Sequence, residues 1–266
     1  MRSAVLRGRE HALLEAVDAV AEANLAIALS RGGAEKRYPH TEPNEDAAGF
    51  ALGAEGAFLA VADGHGGFEA SEVALEQLLA GAAAQWTEAP AGLDAEGFRR
   101  QALAALFDAN RAVRRESGGR RSRTTISFGV LLRDPPRLLH AAVGDSHLFL
   151  AGTAGVREVA PAGERTGFLG TKLETPEALA PLARIGEEPL AGLRAVVLVT
   201  DGLSEEGVGV SDPAAAVADA VRRAERARGG SKALELARGL VETALAEHRR
   251  RRSGDNVAVA AAWLSE

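Results

Sequence analysis

Five aspartates share one local form: each stands at the edge of an apolar, strand-like run, with a glycine or an asparagine within two residues. They occur in Asn44-Glu45-Asp46-Ala47, Val61-Ala62-Asp63-Gly64-His65-Gly66-Gly67, Val143-Gly144-Asp145-Ser146, Leu198-Val199-Thr200-Asp201-Gly202 and Gly254-Asp255-Asn256-Val257. A strand that delivers a carboxylate into a glycine turn sets its oxygens at a sheet end, where solvent and ligand meet them. One such aspartate is ordinarily a turn residue. Five are different. If the fold gathers them, bare carboxylates at ~4 Å repel by ~4 kcal/mol per pair at an effective dielectric near ~20, so a cation is expected among them. Hard oxygen donors, with no cysteine and few histidines, favour Mg²⁺ or Mn²⁺ over zinc or copper.

Composition removes several alternatives. The 266 residues contain no cysteine, which excludes disulfides, thiolate metal sites and every cysteine-nucleophile hydrolase. With 37 acidic against 31 basic residues the net charge is −6, and nucleic acid is not an expected partner. Only Lys36, Lys172 and Lys232 are lysines, and the abundance of Arg, Ala and Gly reads as a coding bias. No run approaches the ~20 apolar residues that span a bilayer, and the amino terminus lacks the apolar core of a secretory signal. A cytoplasmic protein without membrane contact is the expectation.

The elements that must position the aspartates come in blocks. Leu13, Val17, Val20 and Ala21 follow helical spacing and predict an amphipathic helix within residues 1–24, carrying His11. Strands are expected at 25–30, at AAGFAL and at AFLAVAD up to Asp63, with a turn at GAEG. Two helices follow. Leu75, Leu78, Leu79, Ala82 and Trp86 mark one stripe; Phe98, Ala102, Leu106, Ala109 and Val113 mark the other, with Asp94 as N-cap and Gly118-Gly119 at its end. Strands return between Thr124 and Val159. Residues 160–192 hold five glycines and four prolines and read as irregular or mobile. A continuous apolar strand at 193–200, helices at 213–228 and 231–250, and a last strand NVAVAAAWL complete the order. Strands and helix pairs in this sequence fit antiparallel sheets with covered outer faces, in one domain over 1–266.

In this order the motifs resemble the metal-dependent serine/threonine protein phosphatases, the protein phosphatase 2C-like family. The residues are NEDA at 44–47, VADGHGG at 61–67, TT at 124–125, VGDS at 143–146, VTDGL at 199–203 and GDNVAV at 254–259. The resemblance covers about residues 25–264. It implies an α+β fold, a four-layer α-β-β-α sandwich of two antiparallel sheets flanked by helix pairs, with two metal ions in a cleft at one end. It further implies Asp46, Asp63, Asp201 and Asp255 as ligands, Asp63 as the bridge, and Gly64 binding through its carbonyl. Glu45 would act through a coordinated water, and Asp145 with Asp201 would hold a third, weaker ion. The implied reaction is direct hydrolysis of phosphoserine or phosphothreonine in a protein substrate by a metal-activated water. The leaving alkoxide is strongly basic, and His65 is the general-acid candidate; a histidine merely structuring its glycine turn is the alternative.

The chain departs from the family pattern in four places. Thr41 stands where the family has a phosphate-binding arginine, five residues before Asp46; Arg37 is the chosen substitute, and His40 is the other. His147 follows the GDS motif in place of an arginine and is assigned no role. The 56 residues from Asp145 to Asp201 (201 − 145) leave a shortened flap-like segment at 160–192. The amino-terminal helix at 1–24 is extra. His140 and His248 are read as structural, Thr124 and Thr125 as serving the sheet, and the arginines of 114–123 and 249–252 as solvated. A monomer acting on phosphoproteins is expected, against a phosphatase of small metabolites or a silent binding module.

Overall fold

A computed structural model describes residues 1–38, 40–90, 93–116, 122–159, 161, 167–227 and 231–264. Two six-stranded antiparallel sheets stack face to face. The first runs, edge to edge, β1 (Arg2–Arg7), β4 (Ala47–Leu52), β5 (Gly56–Ala62), β8 (Ile126–Arg133), β9 (Pro136–Val143) and β12 (Ala183–Pro189). The second runs β11 (Gly155–Glu158), β10 (His147–Gly152), β13 (Leu193–Val199), β14 (Val257–Trp263), β3 (Leu25–Ser30) and β2 (Asp18–Glu22). A two-stranded ribbon, β6 (Gly64–His65) with β7 (Arg123–Thr124), sits beside the first.

Strands β3, β4 and β5 are buried on both faces, because each is sandwiched between the opposite sheet and a helix layer. Phe50, Leu59, Leu198 and Ala260 join the core between the sheets. On the outer face of the first sheet lie α1 (Glu69–Leu78), α2 (Ala84–Glu88) and α3 (Ala95–Glu116). There Trp86 stacks on Phe128 at 5.5 Å, with Phe58 and Phe98 around it. A widened π-type turn over Leu79–Ala83 joins α1 to α2. Helices α4 (Pro213–Arg226) and α5 (Lys232–Arg251) cover the second sheet through Val217, Leu236 and Leu240. Asp94 caps α3 as expected, accepting from the Gly97 amide at 2.6 Å. The expected α–β–β–α order is therefore the observed one.

Two expectations fail. No α-helix occupies residues 1–24, which hold only a 3-10 turn at Gly8–Glu10: β1 pairs with β4, and β2 makes a hairpin with β3 in which Val20 faces Ile27. Four apolar residues at helical spacing are a weak stripe. Leu13 is 77% exposed in a turn, while Ala19 and Ala21 alternate inward as a strand requires. His11 accordingly lies outside any helix and pairs with Asp18 at 2.8 Å. The second failure is 160–192, where Ala183–Pro189 forms an edge strand paired with β9. Its two apolar residues, Ala183 and Ile185, face the helix layer, and a charged remainder suits a strand with one open edge. The rest of that segment at 160 and 162–166, Gly118-Gly119 and the middle of the 114–123 arginine group lie outside the described residues.

Candidate metal centre

Asp46, Asp63, Asp145, Asp201 and Asp255 all come from strand ends or connections on one end of the sandwich: before β4, after β5, after β9, after β13 and before β14. One carboxylate oxygen each from Asp63, Asp145 and Asp201 lies within 4.8 Å of the others. Asp46 and Asp255 adjoin them closely enough for their charges to raise the Asp63 carboxyl.

Backbone and neighbouring side chains fix each aspartate. Asp63 is held by the threonine pair: the Thr125 amide and the Thr124 hydroxyl both donate to its carbonyl, at 3.0 and 2.8 Å. The Thr200 hydroxyl spans the two sheets, donating to Asp46 Oδ2 and accepting from the Ala258 amide at 2.9 Å. Asn256 closes the cluster from below. Its Oδ1 accepts from the Glu45 amide, and its Nδ2 donates to the carbonyls of Arg31 and Pro43. Gly202 must be glycine, since a Cβ there would stand 1.8 Å from the Asn256 carbonyl oxygen. A Cβ on Gly64 would likewise meet the Glu45 carbonyl at 2.4 Å. His248 ties α5 to the Asp201–Gly202 turn, its Nε2 bonding the Gly202 carbonyl while Nδ1 accepts from the Gly33 amide.

Electrostatics identify the cluster as a place for cations. Burial, then the charge of Asp255, pushes the Asp46 carboxyl up to about 7. Burial and mutual repulsion raise Asp63 and Asp201 well above the ordinary carboxylate range. Asp145 Oδ1 is buried without a hydrogen-bond partner. Carboxylates this crowded, one of them with an unserved buried oxygen, fit divalent ions held by oxygen ligands.

The remaining expected residues are placed less uniformly. His65, on β6, lies 3.7 Å from Asp63 Oδ1 through Nδ1 and packs edge-on against Phe168. Burial, followed by the positive charge of Arg123, lowers its pKa. The Glu45 carboxylate turns to its own loop, where Oε1 accepts from the Thr41 and Glu42 amides. Arg37 is exposed, and among the described residues no ion pair or hydrogen bond holds it. His40 bonds the Tyr38 carbonyl. His147 has both ring nitrogens engaged, by Glu158 at 2.7 Å and Ser204 at 2.6 Å.

Sequence reasoning missed Lys36, Tyr38, Thr200 and Asn256, and it read His248 as structural without seeing that its place on α5 ties the Asp201–Gly202 turn. Thr200 and Asn256 adjoin aspartates already singled out, so their position was a usable signal. The others reach the site only through the path of the 31–44 loop and of α5, which no local pattern reveals.

The chain matches the family model of protein phosphatase 2C over residues 35–242 and belongs to that family. Solved structures share the fold. A bacterial serine phosphatase superposes with a TM-score of 0.65 at 17% identity, over 92% of this chain and 98% of that one. The serine-threonine phosphatase 2C of Toxoplasma gondii gives 0.64 at 17% identity, over 99% of both chains. The catalytic domain of the serine threonine protein phosphatase PstP, in complex with two manganese ions, gives 0.61 at 22% identity, over 94% and 100%. No functionally curated protein matches the sequence. No helix among the described residues is long and apolar enough to cross a membrane.

Proposed function

We propose that the chain is a Mg²⁺- or Mn²⁺-dependent phosphomonoesterase that hydrolyses phosphoserine and phosphothreonine in proteins, working as a cytoplasmic monomer. The convergence of five buried or half-buried carboxylates on one end of the sandwich carries this reading. Asp46, Asp63, Asp201 and Asp255 would hold two ions, with Asp63 between them and the Gly64 carbonyl as a further ligand. Asp145 with Asp201 would hold a weaker third, and Glu45 would contribute through a water.

When bound, such ions lower the pKa of a water and draw charge from the phosphoryl oxygens. The chain's own residues supply the rest. Thr124, Thr125, Thr200 and Asn256 keep the ligand backbone rigid, so that little reorganisation accompanies the reaction. Water adds to phosphorus as the ester P–O bond breaks, and the departing serine or threonine oxygen takes a proton. His65 gives that proton and recovers one from solvent. A lowered imidazole pKa makes the protonated ring a readier donor while thinning its population above the ordinary value of ~6.5. Arg37, exposed on the loop over the site, is assigned to the substrate phosphate, since a guanidinium offers a planar fork to it.

The test is turnover of p-nitrophenyl phosphate with Mn²⁺, its loss with EDTA, and then a comparison of phosphopeptides with small phosphorylated metabolites. Mn²⁺-dependent turnover with a preference for phosphopeptides is expected. Turnover confined to metabolites would displace the protein substrate, and no turnover with any of them would leave a binding module.

A further inference from the structure

The 31–44 loop sends one cation into the acidic cluster. Lys36 Nζ lies 3.3 Å from Asp255 Oδ1, with its side chain only 6% exposed. The same oxygen accepts from the Tyr38 hydroxyl and, at 2.7 Å, from the Asn256 amide. The Lys36 ammonium also sits 5.3 Å from the Tyr38 ring centre, so ring and carboxylate hold it together. Its influence reaches past Asp255, since its charge works against the rise of both the Asp46 and the Asp63 carboxyls.

The loop that carries it is anchored to the same end of the sandwich. The Glu35 carbonyl accepts from the Gly254 amide, the Gly33 amide donates to His248, and Asn256 bonds the carbonyls at both ends of the loop. Lys36 is therefore not a solvated side chain that happens to pass by. A buried ammonium is tolerated only where negative charge surrounds it, and here that charge belongs to the carboxylates assigned to the metals.

We infer that Lys36 is a built-in counter-cation of the acidic cluster: it stabilises the cluster when divalent ions are absent and opposes their binding at Asp255. This rests on the reading of the cluster as a metal centre. A like charge beside a ligand carboxylate lowers the site's affinity for a second cation, and burial weakens the screening that would blunt this. Tyr38 touches the same oxygen without charge, so it orients Asp255 but does not compete.

Calorimetric Mn²⁺ titration at pH 7.5, with thermal melts in EDTA and in saturating Mn²⁺, tests this on the wild type, Lys36→Met, Lys36→Arg and Tyr38→Phe. Lys36→Met is expected to bind Mn²⁺ about tenfold tighter than the wild type and to melt lower in EDTA, with the difference removed or reversed by Mn²⁺. Lys36→Arg should stay near the wild type, and Tyr38→Phe should bind Mn²⁺ equally or more weakly, never more tightly. If Lys36→Met does not fold in EDTA, Lys36→Gln replaces it with the same expectations. Unchanged or weaker Mn²⁺ binding by the charge-removing variant, or equal destabilisation with and without Mn²⁺, overturns the counter-cation. Absence of Mn²⁺ binding by the wild type itself overturns the metal centre along with it.

Discussion

The two ends of the sandwich are built from the same strands and could hardly differ more. Strand β5 leaves Asp63 at one end and begins with Gly56 and Ala57 at the other. Strand β13 leads into Asp201 but starts at Leu193, and β14 starts beside Asp255 but finishes before Leu264. Opposite the acidic end lies a cavity of about 840 Å³, lined by Leu52, Ala57, Leu131, Leu190, Leu193 and Leu264 among others. Among the described residues no aspartate or glutamate lines it. At the acidic end the segments that carry Asp46, Asp63, Asp201 and Asp255 are tied by named side chains, and the leftover problem is charge. At the other end the cavity lining holds two arginines, Arg133 and Arg194, among mostly apolar side chains, and what the strands contribute there is burial. The difference shows that the fold concentrates chemistry by where strands stop, while stability is spread over their length.

Mutations should separate the ends, beginning with the largest effect on catalysis. Asp63→Asn is expected to lower kcat/KM by ~10³-fold or more by removing a shared ligand. The same change should raise the melting temperature in EDTA, because it removes a charge from a repelling cluster; a variant that stays active with Mn²⁺ would contradict the assignment. His65→Ala should slow hydrolysis of alkyl phosphates by ~10²-fold and leave p-nitrophenyl phosphate within a few-fold, since only the poor leaving group requires the proton. Equal loss on both substrates would return His65 to a structural role.

The carboxylates give a pH signature. Asp46 has a folded pKa of about 7, above an ordinary carboxylate value near ~3.9. A raised folded pKa stabilises the fold at low pH, and that contribution is lost as pH rises through the folded value. In EDTA the melting temperature should therefore fall between pH 5 and pH 8 (roughly the window set by that pKa), and Mn²⁺ should cancel the fall. A metal-free protein equally stable across that range would mean that the carboxylates are not crowded.

Smaller effects follow. Arg37→Ala should raise KM for phosphopeptides by about fivefold with kcat and Mn²⁺ affinity unchanged, as loss of one charge-assisted contact implies; steady-state kinetics beside a metal titration decide it. Leu131→Ala, at the apolar end, should cost about 2–4 kcal/mol of stability in denaturant unfolding and leave kcat unaltered. A fall in kcat equal to that of a site variant would erase the contrast between the ends.

Much of this architecture was legible. Apolar runs that end in aspartate followed by glycine mark strand termini at Asp63 and Asp201, and an aspartate followed by asparagine opens the run at Asp255, so these three announced both the element and its polarity. Helix pairs with clear stripes, such as Phe98 to Val113, were equally plain. Residues 1–24 misled because helical spacing of four small or apolar residues competes poorly with pairing to a fully buried neighbour such as β3; tertiary hydrogen bonding decided. The edge strand at 183–189 was hidden by its charges, which an edge position tolerates. The site's non-local residues were the hardest. Lys36 and His248 reach the cluster across 219 and 47 residues of sequence from Asp255 and Asp201 respectively (255 − 36; 248 − 201), and only the folded path of the chain brings them there.

Crystals grown with Mn²⁺ and measured at the manganese absorption edge interrogate the metal centre itself. Two strong anomalous peaks among Asp46, Asp63, Asp201 and Asp255, with Asp63 touching both, are the predicted result. A cluster that stays free of anomalous density at saturating Mn²⁺, or density only at other acidic patches, would contradict it.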